Sequence, residues 1–465
     1  MKQVVAALIW IAAEAAPAAG PPVTFRLDFH HTGGKTAEVF AVDKVVAEPL
    51  AWPGAKGKEI DESGFGSYRF EVRDTTGKVL FSRGYSPIYA EWVTTAESSE
   101  ISKTFHESLR FPEPSTIVDI VVFKRDGVNR FVEAWRTRID PANMFVDRSA
   151  PVQHVPIEIE RNGDPADKVD VLLLGDGYTA AECQVKFVPD AKRMSAALFA
   201  VQPYKSKRSE FNVWGLCPPS PKSGVSRPST GVHIATPVGA TYDVFGSERY
   251  VLTMDNKAFR TIASNAPYEF ATILVNNETY GGGGLYNIYS TVAVDNEWAN
   301  YLFIHEFGHH FAALADEYFT SPVAYLPPIT VIEPWEPNAT ALLDPKALKW
   351  KDLITPGVPI PTPWPKEQYE STSRERQAKR AKLRADRRPE SEMSTLFAEE
   401  RAFDSALFAS APYAKSIGAF QGANYDAKAF YRPAIDCIMF TRNNVPFCPV
   451  CRRTIEQVIQ AHSAD

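Results

Sequence analysis

Hydrophobic and polar positions alternate strictly along Val23-Thr24-Phe25-Arg26-Leu27-Asp28-Phe29 and along Tyr68-Arg69-Phe70-Glu71-Val72-Arg73. That period of two is the pattern of a half-buried strand. The second run turns through Asp74-Thr75-Thr76-Gly77 into Lys78-Val79-Leu80-Phe81. Residues 117–125 and 130–139 flank Asp126-Gly127, a hairpin signal. Short strands, turn residues between them and no long helical period predict a β-sandwich over residues 20–150.

From residue 151 the pattern changes. Val169-Asp170-Val171-Leu172-Leu173-Leu174 is nearly continuous in apolar residues and predicts a strand buried on both faces. Thr179 and Glu182 have capping-box spacing and predict a helix that runs through about Val201. A strand at 211–217, a helix at 255–266 and a strand at 271–276 complete an alternation that predicts an α/β domain over residues 151–465. Gly175-Asp176-Gly177 lacks the further glycine and the Lys-Ser/Thr of a phosphate loop.

An insertion over about 322–404 interrupts this domain. Residues 322–365 carry 11 prolines in 44 positions, which predicts a long extended loop. Residues 366–392 carry nine basic and six acidic side chains, which predicts a solvated, salt-bridged helix. A docking surface for an acidic partner is the alternative. No internal repeat is present.

The chain has 465 residues and a net charge of −6, so it has no basic excess to neutralise a phosphate backbone, and nucleic acid is not expected as a partner. Residues 1–19 read as a secretory signal peptide: Lys2, an apolar run from Val4 to Ala13, then Ala16-Pro17-Ala18. Secretion or export to a periplasm is expected. No later stretch reaches the ~20 apolar residues of a membrane span. The five cysteines, Cys183, Cys217, Cys437, Cys448 and Cys451, leave at least one thiol unpaired within the chain.

The candidate chemistry lies in His305-Glu306-Phe307-Gly308-His309, on a helix expected from about Glu297 to Leu314. At 3.6 residues per turn, His305 and His309 lie about 40° apart on one face. Two imidazoles so placed grip one Zn²⁺ ion, and Glu306 is turned off that line, close enough to reach water on the ion. A catalytic zinc needs a third protein ligand and an open position. Asp316, Glu317 and a more distant Glu are the candidates. In a straight helix Asp316 would sit ~10 Å beyond His309, so the helix must end near Ala312–Ala315 and fold back, although no Gly marks the break. His310 points about 140° away from His305 and is not expected to be a ligand.

Downstream, Asp436-Cys437-Ile438-Met439-Phe440-Thr441 precedes Phe447-Cys448-Pro449-Val450-Cys451. Met439 in a tight turn would give the histidine pair an apolar, polarizable floor. Cys448-x-x-Cys451 reads as redox-active, as half of a structural zinc site, or as part of a disulfide. One disulfide among Cys437, Cys448 and Cys451 is the favoured expectation.

Taken together, these segments resemble the IgA peptidase family of bacterial zinc metallopeptidases, which groups with the metzincin-like zincins. Arg83-Gly84-Tyr85, Glu91-Trp92 and Thr94-Thr95 resemble the family's N-terminal β-domain. Leu174-Gly175-Asp176-Gly177-Tyr178 and Tyr280-Gly281-Gly282-Gly283-Gly284 resemble its catalytic domain. The most specific pieces are the His305 segment with Leu314-Ala315-Asp316-Glu317-Tyr318, and Tyr431-Arg432-Pro433 with Asp436 to Arg442. The resemblance implies a zincin-like α/β catalytic domain. It also implies His305, His309 and Asp316 as ligands of one catalytic Zn²⁺ ion, Glu306 as general base and Met439 as the Met-turn residue. Ala313 stands where the family's zinc segment is expected to carry Gly, and Gln421 where Glu is expected.

The expected reaction is hydrolysis of peptide bonds in a protein or peptide substrate. Tyr318, His310 and Tyr431 are candidate donors to the developing oxyanion. Gly281–Gly284 reads as a flexible loop, and Tyr286–Val294 as a strand that edges the cleft and pairs with extended substrate. A zinc amidase and a secreted adhesion protein with a structural zinc are the rival readings.

Overall fold

The computed structural model describes residues 22–325 and 330–464. The signal-like residues 1–19 lie outside them. Among the described residues no helix is long and apolar enough to cross a membrane.

Seven strands form the N-terminal part: β1 (Val23–Gly33), β2 (Glu38–Ala51), β3 (Tyr68–Asp74), β4 (Val79–Tyr85), β5 (Lys103–Pro112), β6 (Val118–Arg125) and β7 (Phe131–Ile139). They make two antiparallel sheets, ordered β2-β1-β5 and β4-β3-β6-β7. The alternation in the sequence accounts for their core. Phe25, Leu27 and Phe29 of one sheet pack with Phe70, Val72, Ile120 and Val122 of the other. One helical turn, α1 (Ile88–Trp92), leads toward β5. Strands β2 and β5 escape sequence reading because adjacent apolar residues such as Val45-Val46 in β2 and a charged residue at an inward position, Glu107, in β5 break the alternation.

At one end of this unit Glu38 ties the sheets together. It accepts from Tyr68 Oη at 2.7 Å, lies 3.1 Å from His31 Nε2 and pairs with Lys124. Burial alone would push this carboxyl up, but the bonds from His31, Lys124 and Tyr68 hold it at about 2, against 4.5 for a free glutamate. A depressed acid stabilises the fold above its unfolded value and stops doing so as pH falls through its folded value. Thermal melts are therefore expected to lose stability between pH 4.5 and 2, and Glu38→Gln to flatten that decline. An equally steep decline in the variant would assign it to other groups.

The C-terminal part is built on a six-stranded sheet ordered β14-β15-β13-β9-β10-β8. Its strands are β8 (Ile157–Glu160), β9 (Val169–Asp176), β10 (Phe211–Leu216), β13 (Phe270–Val275), β14 (Gly282–Leu285) and β15 (Tyr289–Ala293). The ribbon of β11 (Ala240–Thr241) and β12 (Leu252–Thr253) lies between β10 and β13 in the chain. The inner four strands run parallel, and β14 and β8 are antiparallel edges. Strand β9 is buried throughout because both its faces are covered. Val169, Val171 and Leu173 enter one core, and Leu172 and Leu174 the other.

The Thr179–Glu182 capping box forms and opens α2 (Ala180–Glu182), which passes through a π-helical turn (Cys183–Phe187) into α3 (Val188–Leu198). Then come α4 (Asn256–Ala263) and α5 (Ala299–Ala312). The proline-rich stretch forms neither strand nor α-helix among its described residues, only short 3₁₀ turns at Pro345–Ala347 and Lys351–Leu353. The charged stretch becomes α6 (Lys366–Ala385), which packs against α7 (Glu390–Ala409). Four-residue ion pairs such as Arg374–Glu370 and Lys382–Asp386 lace the outer face of α6 as expected. Its inner face buries Tyr369, Ser373 and Arg380, which the charge count conceals. A hairpin of β16 (Phe420–Ala423) and β17 (Asp426–Arg432) and the terminal helix α8 (Pro449–His462) complete the chain.

Candidate active site

Helix α5 is buried on nearly all sides. Leu302, Phe303, Phe307 and Phe311 seat it in the larger core, so the few polar groups it carries are enclosed with it. His305 and His309 lie one turn apart, and their ring nitrogens face each other, Nε2 to Nε2, at 3.1 Å. His305 Nδ1 donates to the Ile438 carbonyl at 3.0 Å, and His309 Nδ1 to the Leu314 carbonyl. A carbonyl only accepts, so each Nδ1 carries a proton and each Nε2 is the nitrogen left to face an ion.

The break in the helix falls where the ligand spacing requires it. Ala313 adopts a left-handed conformation, φ 55°, and Leu314 N–H reaches back to the Gly308 carbonyl at 3.4 Å. Ala313 N–H itself donates to the His309 carbonyl at 3.1 Å, the left-handed pattern of helix ends, with Ala in the place Gly usually takes. Asn338 then grips the returning chain: its Oδ1 accepts from Ala315 N at 2.7 Å, and its Nδ2 donates to the Ala315 carbonyl at 3.0 Å. Asp316 is thereby turned back under the histidines.

Asp316 Oδ1 lies 3.0 Å from His305 Nε2 and 3.2 Å from His309 Nε2. With the 3.1 Å between the histidines, three donor atoms form a near-equilateral triangle. A tetrahedral ion with bonds of ~2.0–2.1 Å has ligand edges of about 3.3 Å. The triangle is one face of such a tetrahedron, with the fourth corner open. Asp316 Oδ1 is enclosed and has no hydrogen-bond donor, a costly state for a buried carboxylate unless a cation serves it. These residues therefore fit a four-coordinate divalent ion. In the metal-free chain a proton serves instead. Burial pushes His309 down, but Asp316 outweighs it and raises the imidazole to about 9. Metal must displace that proton, so binding weakens as pH falls.

The second carboxylate oxygen is also held. Tyr425 donates its hydroxyl to Asp316 Oδ2, and the Asp316 carbonyl accepts from Asn424 N at 2.9 Å. Asn424 and Tyr425 form the tip of the β16–β17 hairpin, both with positive φ, 48° and 63°. Such a tip is unfavourable for tyrosine, and it delivers the phenol to Asp316. Beneath the helix, Met439 Sδ lies so close that a Cβ on Gly308 would meet it at 2.9 Å. Glu317 N–H donates to the Met439 carbonyl at 2.9 Å.

Glu306 and His309 open onto a cleft of about 680 Å³ that Gly284, Arg249, Tyr318 and Glu91 also line. Burial pushes the Glu306 carboxyl above its ordinary value, with His305 and His309 opposing. The N-terminal part supplies one wall through Ser86, Ala90, Glu91 and Thr94, in and around α1. Glu91 accepts from Tyr325 at 2.9 Å and from Tyr250, and Ser86 N–H donates to the Tyr286 carbonyl at 3.0 Å.

The edge of the sheet differs from expectation. The glycine run is strand β14 itself rather than a loop, and β15, the expected edge, is interior, paired on both sides. Glycine is needed because β14 lies against the helix. A Cβ on Gly284 would stand 2.4 Å from the Glu306 carbonyl oxygen and 2.9 Å from His309 Cβ. Gly284→Ala is expected to cost about 1–3 kcal/mol through overpacking, read as a lower denaturation midpoint. An unchanged midpoint would mean that the strand can move off the helix.

Of the three candidate donors, Tyr318 stands over the site. Its ring stacks on His305 at 6.2 Å, and its hydroxyl accepts from Arg249 at 3.2 Å. His310 faces the sheet, its Nδ1 donating to the Leu285 carbonyl at 3.0 Å and its Nε2 accepting from Ala271 N at 3.1 Å. Burial pushes it down to about 3, so it is a neutral core histidine. Tyr431 pairs through its backbone with Thr340 and does not line the cleft. Tyr425, Asn338, Arg249 and Glu91 were not singled out as site residues from the sequence. They come from distant segments, and only Glu91 lies in a motif quoted there.

The expected disulfide also falls elsewhere. Cys183 and Cys217 are bonded, whereas Cys437, Cys448 and Cys451 are free and buried. Cys183 sits in the π-helical turn and Cys217 directly after β10, so adjacent elements bring them together.

No curated protein matches the chain. A family model described as IgA peptidase M64 matches residues 157–459, the span that holds the six-stranded sheet, the histidine pair and the Met439 turn. A second, described as the M64 peptidase N-terminus, matches residues 21–136. By these matches the chain belongs to the IgA peptidase M64 family and is a peptidase.

Proposed function

We propose that the chain is an exported zinc metalloendopeptidase. The observation that carries this reading is the triangle of two imidazole nitrogens and one carboxylate oxygen, 3.0–3.2 Å on each side, at the floor of an open cleft. His305, His309 and Asp316 would hold one Zn²⁺ ion, and their donor set suits zinc. When bound, the ion lowers the pKa of a water toward ~7 and polarises the scissile carbonyl. Glu306, next to His305 yet off the ligand line, accepts the proton of the attacking water and passes it to the leaving amine. Tyr318, oriented by Arg249, donates to the developing oxyanion. Met439 serves as the apolar floor of a Met-turn.

Substrate binds extended along β14. Gly282 directs its backbone to the neighbouring 249–251 segment, donating to the Arg249 carbonyl at 3.0 Å and accepting from Val251 N at 3.2 Å. Gly284, two residues on, turns its backbone to the same side and borders the cleft. A peptide strand added there would pass over Glu306 and His309. The signal-like N-terminus and the Cys183–Cys217 disulfide support export to an oxidising compartment.

The test is chelation and restoration on a peptide library. Dialysis against a chelator is expected to abolish cleavage, and stoichiometric zinc to restore it. Cleavage that persists in demonstrably zinc-free protein would dismiss the reading. Hydrolysis of N-acyl sugars with peptides untouched would favour an amidase.

A further inference from the structure

The three free thiols are gathered around one carboxylate. Glu317, Cys437, Cys448 and Cys451 are buried, and one ligand atom from each lies within 4.8 Å of all the others. Cys448 and Cys451 sulfurs are 3.5 Å apart, Cys437 and Cys451 sulfurs 3.9 Å, and Cys451 Sγ is 3.4 Å from Glu317 Oε1. A disulfide would bring two of the sulfurs to ~2.05 Å. A tetrahedral zinc with Zn–S bonds of ~2.3 Å and a Zn–O bond of ~2.0 Å gives sulfur–sulfur edges of about 3.8 Å and sulfur–oxygen edges of about 3.5 Å. The three measured spacings match these edges, and the remaining ones stay within 4.8 Å.

We propose that Glu317, Cys437, Cys448 and Cys451 bind a second zinc ion, structural in role, behind the candidate active site. All four positions are filled by protein, as in a closed structural site. The outer contacts are those such a site uses. Cys448 N–H donates to Cys437 Sγ at 3.3 Å, and Cys451 N–H to Cys448 Sγ at 3.5 Å. Asn338 Nδ2 donates to Glu317 Oε1 at 3.0 Å and fixes the carboxylate. Glu317 Oε2 is buried with no partner, a state that a cation relieves. Cys448 caps the N-terminus of α8, which favours a thiolate there. The thiols bind as thiolates and release their protons to solvent.

The second ion would clamp the first site from below. Glu317 follows Asp316 directly, and Cys437 stands next to Ile438, whose carbonyl orients His305. One ion would therefore fix both the arm that carries the third ligand and the turn that carries Met439. This goes beyond the peptidase reading and does not depend on it.

Elemental analysis of the natively exported protein is expected to find two zinc ions per chain. His305→Ala with His309→Ala is expected to keep one, and Cys448→Ser with Cys451→Ser to keep the other. So that the test does not depend on the folding of the cysteine variant, X-ray absorption at the zinc edge is measured on the unaltered protein and on the histidine variant. A sulfur shell at ~2.3 Å is expected in both, dominant in the variant. A zinc-free histidine variant, a sulfur-free zinc shell, or a disulfide among Cys437, Cys448 and Cys451 found by peptide mapping would each overturn the proposal. Peptide cleavage that survives in the histidine variant, with the sulfur-bound zinc intact, would count against the peptidase mechanism alone.

Discussion

Glu306→Gln is expected to lower the turnover of peptide substrates by about 10²–10⁴-fold, the usual worth of a positioned general base. The amide keeps the size of the side chain and cannot accept the proton of the attacking water. The metal triangle does not include Glu306, so zinc content and the melting midpoint are expected to match those of the parent. The paired readout separates chemistry from architecture. Turnover within tenfold of the parent, at full zinc content, would move the proton transfer to another group.

Asp316→Ala is expected to act one step earlier, on the metal. It removes one corner of the triangle and leaves the Tyr425 hydroxyl without its acceptor. Affinity for the active-site zinc, read by competition with a chromophoric chelator, is expected to fall by more than the ~10–100-fold typical of losing an outer-shell partner. Tyr425→Phe, which removes only the hydroxyl behind the ligand, is expected to fall within that range. Equal losses in the two variants would mean that the tyrosine, and not the carboxylate oxygen facing the histidines, governs the metal.

The order of these effects follows from geometry that the sequence shows only in part. His305, Glu306 and His309 are legible because one helical turn relates them, and helical geometry is local. Asp316 is legible from spacing only as one of several candidates, and the family resemblance singles it out. Its placement depends on a left-handed residue, and alanine at position 313 gives no sign of one. Tyr425 and Asn338 are beyond reach, since their partners lie 109 and 21 residues away in the chain. The alternating N-terminal strands are read correctly because burial of one face leaves a period of two, and β9 because burial of both faces leaves a nearly continuous apolar run. The glycine run is misread for a physical reason: glycine disfavours strands intrinsically, and here a close helix requires it in one. Cysteine pairing fails similarly. Cys448-x-x-Cys451 is conspicuous, whereas the bonded pair is 34 residues apart.

The N-terminal part meets the cleft through Glu91 of α1, which accepts from Tyr250 and Tyr325 of the C-terminal part. A groove with walls from two separately built halves has divided authorship of its preferences. Changes in the 86–94 segment can redraw which side chains the groove accepts and leave the hydrolytic machinery untouched. Grafting that segment between related chains is expected to exchange their tastes at constant chemistry.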